Sequence, residues 1–168
     1  IVDYPGEWLL DLPMLKQSFQ QWSVSQSTRK QVFQRSKHFE AFSEAINSID
    51  LTSAADELKL QEITDLYQRV LQDCVSNHGF YYAQPGRLLL PGELEGTPVL
   101  ALFPLLNIDD SGFQSLELSI ANSFYHTLKQ RYYEYVNRVV KPFYQDYFAK
   151  FDRQIVLVDC FTPLNRGR

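Results

Sequence analysis

A chain of 168 residues, 45% hydrophobic and 21% charged, has the length of one ordinary domain, and its composition excludes a disordered tail or a collagen-like repeat. The formal net charge of −4 argues against nucleic acid as a general partner; the longest apolar run, residues 99–106, is broken by Pro104 and falls far short of the roughly 20 residues of a membrane span. Cys74 and Cys160 are far apart and fit no metal spacing, so they read as two reduced apolar side chains in a reducing compartment.

In chain order, Ile1-Val2-Asp3 has the form of a strand's last residues. It carries neither an initiator Met nor the basic start and apolar core of a signal peptide, and so predicts an internal piece of a longer protein. Between Pro13 and Ile49 no Gly or Pro intervenes. Leu15, Phe19 and Trp22, then Phe39, Phe42, Ile46 and Ile49, recur at helical spacing around a polar stretch at 23–30, which one bent helix or two shorter ones would satisfy. A clearer helix follows: Ser53 caps it with Asp56 three positions on, Ile63, Leu66 or Tyr67, Val70 and Cys74 form its buried stripe, and Gly79 ends it.

Residues 79–115 hold five of the seven glycines and four of the eight prolines, so this stretch is a turn-punctuated connector rather than a long helix. Short strands at 80–83, 87–90 and 98–103 would fit it. A third helical stretch spans 116–150, with Phe124, Leu128, Tyr132, Tyr135, Val139, Phe143 and Tyr147 on one face. At about 1.5 Å per residue it would run roughly 50 Å, with a kink or break where Pro142 crowds the Arg138 carbonyl. Its six tyrosines between 125 and 147 read as a packing stripe with hydroxyls reaching the surface, in preference to a cofactor box. Finally Ile155-Val156-Leu157-Val158-Asp159 has the continuous apolar character of a buried parallel strand.

The local motif with most chemistry is Asp3-Tyr4-Pro5-Gly6-Glu7-Trp8. Read as D-x-x-G after a strand, it places an aspartate where it can hold Mg²⁺ through water, and a glycine amide that can donate to a terminal phosphate without a Cβ in the way. Chance alone supplies roughly 0.45 such matches in a chain of this composition. The second match, Asp109-Asp110-Ser111-Gly112, lies in the connector and reads as a turn. His38, His78 and His126 are dispersed and read as surface or capping residues, and no Ser-His-Asp or Cys-His arrangement stands out. Two basic stretches, Arg29, Lys30, Arg35 and Lys37, then Lys129, Arg131, Arg138, Lys141 and Lys150, read as solvated faces, with docking to an acidic partner as the alternative.

Three strings in order, residues 1–13, 84–92 and 151–160, resemble the YcjX-like family of bacterial stress proteins along the whole chain. The resemblance implies an α/β parent of the Ras-like P-loop hydrolase type, cytoplasmic and induced with heat-shock proteins, of which this piece is mostly α-helical. Residues 1–12 would be the end of a core strand plus the second switch, 13–150 a helical insertion with its irregular connector at 79–115, and 151–168 the next core strand and loop. Asp3 would serve Mg²⁺, Gly6 would contact the nucleotide, Tyr4, Pro5 and Trp8 would belong to the switch, and Glu7 would be the catalytic candidate. Glu7 stands where Ras-like proteins usually carry Gln, and its carboxylate would act as a base, through a cation, or not at all.

The nucleotide would be GTP, yielding GDP, with ATP as the alternative. The chain lacks G-x-x-x-x-G-K-[ST] and N-K-x-D or T-K-x-D, so base choice rests on the resemblance, and the isolated piece is expected to be inactive and not to bind nucleotide. A different class of function is a helical interaction module that docks a protein partner or a second copy, its nucleotide site regulatory or vestigial.

Overall fold

The structure, a computed structural model, describes residues 5–150. Both expected core strands, at 1–3 and 155–159, lie outside the described residues, as does Cys160. What is described is mostly helical, and its one β pairing is an isolated antiparallel bridge between Ala54 and Ser123.

The chain enters through an eleven-residue 3₁₀ helix, Gly6–Lys16, that contains Pro13. Runs of this length are uncommon because the hydrogen bonds are poorly aligned. Here tertiary contacts support it: Met14 and Asp11 are buried, and the Tyr132 hydroxyl reaches the Met14 and Gln17 carbonyls at 3.2 and 3.0 Å. Ser18 and Gln21 then form a reciprocal capping box that starts α1, Phe19–Ser27. Helices α2, Lys30–Phe33, and α3, Phe39–Asn47, follow. The expected one or two helices are therefore three short ones, because the polar stretch at 23–30 and the Ser36 turn each let the chain change direction.

Helix α4, Glu57–His78, is the central pillar, about 33 Å long. Its buried face is the expected stripe of Ile63, Tyr67, Val70 and Cys74, widened by Leu60, Thr64 and Leu71. Tyr67 stacks on Phe42 of α3 with ring centroids 5.1 Å apart. The cap is Asp56, whose carboxylate accepts from the Leu58 and Lys59 amides at 2.8 and 3.2 Å. Ser53 instead donates to the Asp50 carbonyl in the preceding turn. Gly79 ends the helix in the left-handed region at φ 64°, where a Cβ would be strained.

The expected connector strands are not formed. Residues 86–88, 92–94 and 98–100 are single 3₁₀ turns, each following a proline or starting on one. Their amides bond three residues back, as from Leu88 to Pro85 at 3.0 Å and Leu94 to Pro91 at 3.1 Å, leaving no ladder to build. The apolar run 101–105 then passes through the core without regular secondary structure. Side chains meet several polar groups in and just beyond it: Ser23 accepts from the Leu105 amide, Ser27 donates to the Leu106 carbonyl, and Arg131 donates to the Ala101 carbonyl.

Against the helix expected over 116–150, α5, Asp110–Leu116, lies almost wholly inside the expected connector, and α6, Phe124–Tyr135, which Ser123 caps, starts eight residues later than expected. Beyond Tyr135 the chain stays helical in wide π turns, Val136–Val140 and Phe143–Tyr147, then a 3₁₀ turn, Phe148–Lys150. No break occurs at Pro142, which keeps helical angles. The widened turns on either side carry the chain past the ring that a regular helix would drive into the Arg138 carbonyl. Tyr125, Tyr132 and Tyr135 are buried core, and their hydroxyls end on buried or half-buried partners instead of reaching solvent, whereas Tyr133, Tyr144 and Tyr147 are exposed.

Candidate functional site

Pro5 takes an extended conformation, and its carbonyl accepts from the Trp8 amide at 3.1 Å, which tightens the chain into the first turn of the 3₁₀ helix. Gly6 is exposed, with open space where a Cβ would stand. The next two residues are gripped by the connector. Gly86 lies so close that a Cβ there would stand 2.7 Å from the Glu7 carbonyl carbon, nearer still to its oxygen. The Trp8 indole donates to the Leu90 carbonyl at 3.3 Å and meets the Phe143 ring edge-on at 5.9 Å. The Arg87 guanidinium stacks on the indole face, 3.3 Å from the ring centroid. Arg87 is buried; one oxygen of the exposed Glu93 lies 3.4 Å from it, and its charge also reaches the Asp11 carboxyl.

One turn further in, Asp11 is buried beneath the same loop. It accepts from the Gly86 amide at 2.8 Å and from the Tyr135 hydroxyl at 2.5 Å. Burial pushes its carboxyl up to about 7; the hydrogen bonds from Tyr135, Gly86 and Arg87 and the Arg87 charge oppose that rise. Burial in turn holds the Tyr135 hydroxyl well above its ordinary range. Gln84 completes the junction. Its amide donates to the Leu10 carbonyl and accepts from Gln26 at 2.8 Å, while its own carbonyl accepts from Tyr67 at 2.7 Å. The entry helix, the 84–90 loop, α1, α4 and α6 thus converge on one buried polar knot beside Glu7 and Trp8.

Of the candidates read from sequence, Asp3 and Tyr4 lie outside the described residues, and Pro5, Gly6, Glu7 and Trp8 sit together at this junction. The second D-x-x-G is not a free turn. Asp109 is the N-cap of α5 and accepts from the Gly112 amide at 2.8 Å, so its carboxylate is already committed to the helix. The three histidines are half-buried on separate elements, and among the described residues no group of three His, Cys, Asp or Glu converges to hold a metal ion. The second basic stretch is only partly a solvated face. Arg131 is buried between the Ala101 carbonyl and Glu57, and Lys129 pairs with Glu117 at 2.6 Å. Cys74 is buried and free, and burial raises its thiol to about 11.

Sequence reasoning missed Asp11, Gly86, Arg87 and Tyr135. Two signals were present: a carboxylate set among leucines at 9–12, and a Gly-Arg pair directly after a proline in the connector.

The YcjX-like family model matches residues 1–168. The chain is 52% identical over its whole length to the Ras-like GTPase YcjX of Shewanella oneidensis and 41% identical over 99% of its length to the Ras-like GTPase YcjX of Escherichia coli. It spans about a third of these relatives, 35% and 36% of their respective lengths.

Proposed function

From the premise that this chain belongs to the YcjX-like family, we propose that it is the segment of a P-loop nucleoside-triphosphate hydrolase that carries the third G motif and the helical insertion behind it. The end-to-end match to relatives named Ras-like GTPase carries this reading. Residues 1–12 are the strand end and second switch, 13–150 the insertion, and 151–168 the following core strand. The substrate is GTP and the product GDP, with ATP as the alternative, and the setting is the bacterial cytoplasm under stress.

Asp3 would hold Mg²⁺, which would supply charge neutralisation at the phosphates when bound. Gly6 donates its amide to the γ-phosphate, and its exposure and open flank leave room for that approach. Tyr4, Pro5 and Trp8 move with the switch. Glu7 orients the attacking water or takes its proton. Exposed apolar side chains, Leu58, Leu118 and Ile120, favour a second role for the insertion in binding a protein partner or another copy.

The test is nucleotide hydrolysis by the full-length protein. Asp3→Ala is expected to weaken Mg-nucleotide turnover at least tenfold, and Glu7→Ala, which removes either role, to lower kcat by about 10² or more. Residues 1–168 alone are expected to give no calorimetric signal with GTP. Unchanged kinetics in Asp3→Ala, or GTP binding by the isolated piece, would overturn the assignment.

A further inference from the structure

We propose that Arg87 is a latch through which the helical insertion sets the position of the Glu7–Trp8 turn. The inference rests on the hydrolase reading for its consequence and on geometry for its existence.

A buried guanidinium is costly unless its charge and donors are met. One oxygen of a carboxylate that is 71% exposed, at 3.4 Å, is a weak counter-charge. The compensating partner is the indole face at 3.3 Å, a contact close enough to be direct stacking in a water-poor junction. The indole is oriented on three sides by groups distant in sequence: Arg87 on its face, the Leu90 carbonyl at its nitrogen, Phe143 at its edge. The preceding residue is pinned by its main chain, because Gly86 admits the Glu7 carbonyl where any side chain would exclude it.

Two consecutive residues of the turn are therefore held by two consecutive residues of the 84–90 loop. That loop is itself anchored to α4 through Gln84–Tyr67 and, by way of Asp11 on the entry helix, to α6 through Gly86–Asp11–Tyr135. Release of the stack frees the turn, and movement of the turn must break the stack. Arg87 is given no part in the chemistry; it is a positioning residue that acts through Trp8. Lysine replaces it only in part, since an ammonium can sit over the ring but has no planar face to lay on it.

Arg87→Ala, Arg87→Lys, Trp8→Ala and the Trp8→Ala/Arg87→Ala pair in the full-length protein test this. Arg87→Ala is expected to lower kcat about tenfold with KM changed less than twofold, and Arg87→Lys to fall in between. The double variant should be no slower than the slower single one, because both changes break one contact. A kcat within twofold of wild type in Arg87→Ala, even with a lowered Tm, or losses that multiply in the double variant, would sink the latch. If Arg87→Ala does not fold, Arg87→Lys carries the same comparison. A wild-type protein that hydrolyses neither GTP nor ATP defeats the hydrolase reading instead. Trp8 emission, with every other tryptophan changed to Phe, then decides: a shift to longer wavelength in Arg87→Lys upholds the latch, and an unchanged spectrum overturns it.

Discussion

Asp11→Asn should make the protein more stable at pH 8 and leave it little changed near pH 4. Asp11 is buried at the junction, and its carboxyl is pushed from 3.8 up to about 7. The unfolded chain loses this proton near pH 4, whereas the folded chain keeps it until about pH 7. Between those values the folded state binds the extra proton, so this group's contribution is fully present below about pH 4 and is lost as pH rises through 7. At about 1.4 kcal/mol per pKa unit, the loss amounts to roughly 4 kcal/mol.

Asparagine has no proton to lose. Its carbonyl can accept from the Gly86 amide as Asp11 does at 2.8 Å, and its NH₂ faces the Tyr135 hydroxyl, which then accepts. Urea unfolding at intervals from pH 5 to 8.5, read by tryptophan emission, should show wild type falling with pH and Asp11→Asn staying nearly level. Parallel curves for the two proteins would refute the account, because they would mean that Asp11 is ionised throughout or that its charge is already met.

Gly86→Ala forces a Cβ against the backbone of Glu7, which cannot rotate away, so a loss of about 3 kcal/mol or a displaced turn is expected. Thermal melting together with Trp8 emission checks it, and an unperturbed protein would show that the close approach does not exist. Arg131→Ala strips the Ala101 carbonyl of its buried donor, and Glu57→Ala leaves the buried Arg131 guanidinium without its carboxylate, so each should cost about 3 kcal/mol in urea unfolding, and a loss under about 1 kcal/mol in either would contradict this account.

Local signals were read correctly where they act over a few residues. The stripe of α4 and its glycine stop, and the helical character on both sides of the connector, followed from periodicity and turn chemistry. Boundaries failed where neighbours decide them. Ser53 and Asp56 are equally good caps in isolation, and Asp56 is chosen because the Ser53 carbonyl and the Ala55 amide are engaged by Phe124 and Asn122 at the start of α6. The connector strands failed for a similar reason: their residues suit strands, but each proline turn closes on itself and no partner strand lies alongside.

The order of apolar and polar residues determined by itself that the described residues are mostly helical and where their pillar lies, while three long strings carried the family resemblance. Those properties are written in spacings of three and four residues and in contiguous strings. Tertiary structure alone decided what sits against Glu7 and Trp8. Arg87 and Tyr135 lie about 80 and 130 residues away in sequence, and the cost of burying a guanidinium and a carboxyl there is met only when distant elements supply an indole face, a hydroxyl and a glycine amide at one point.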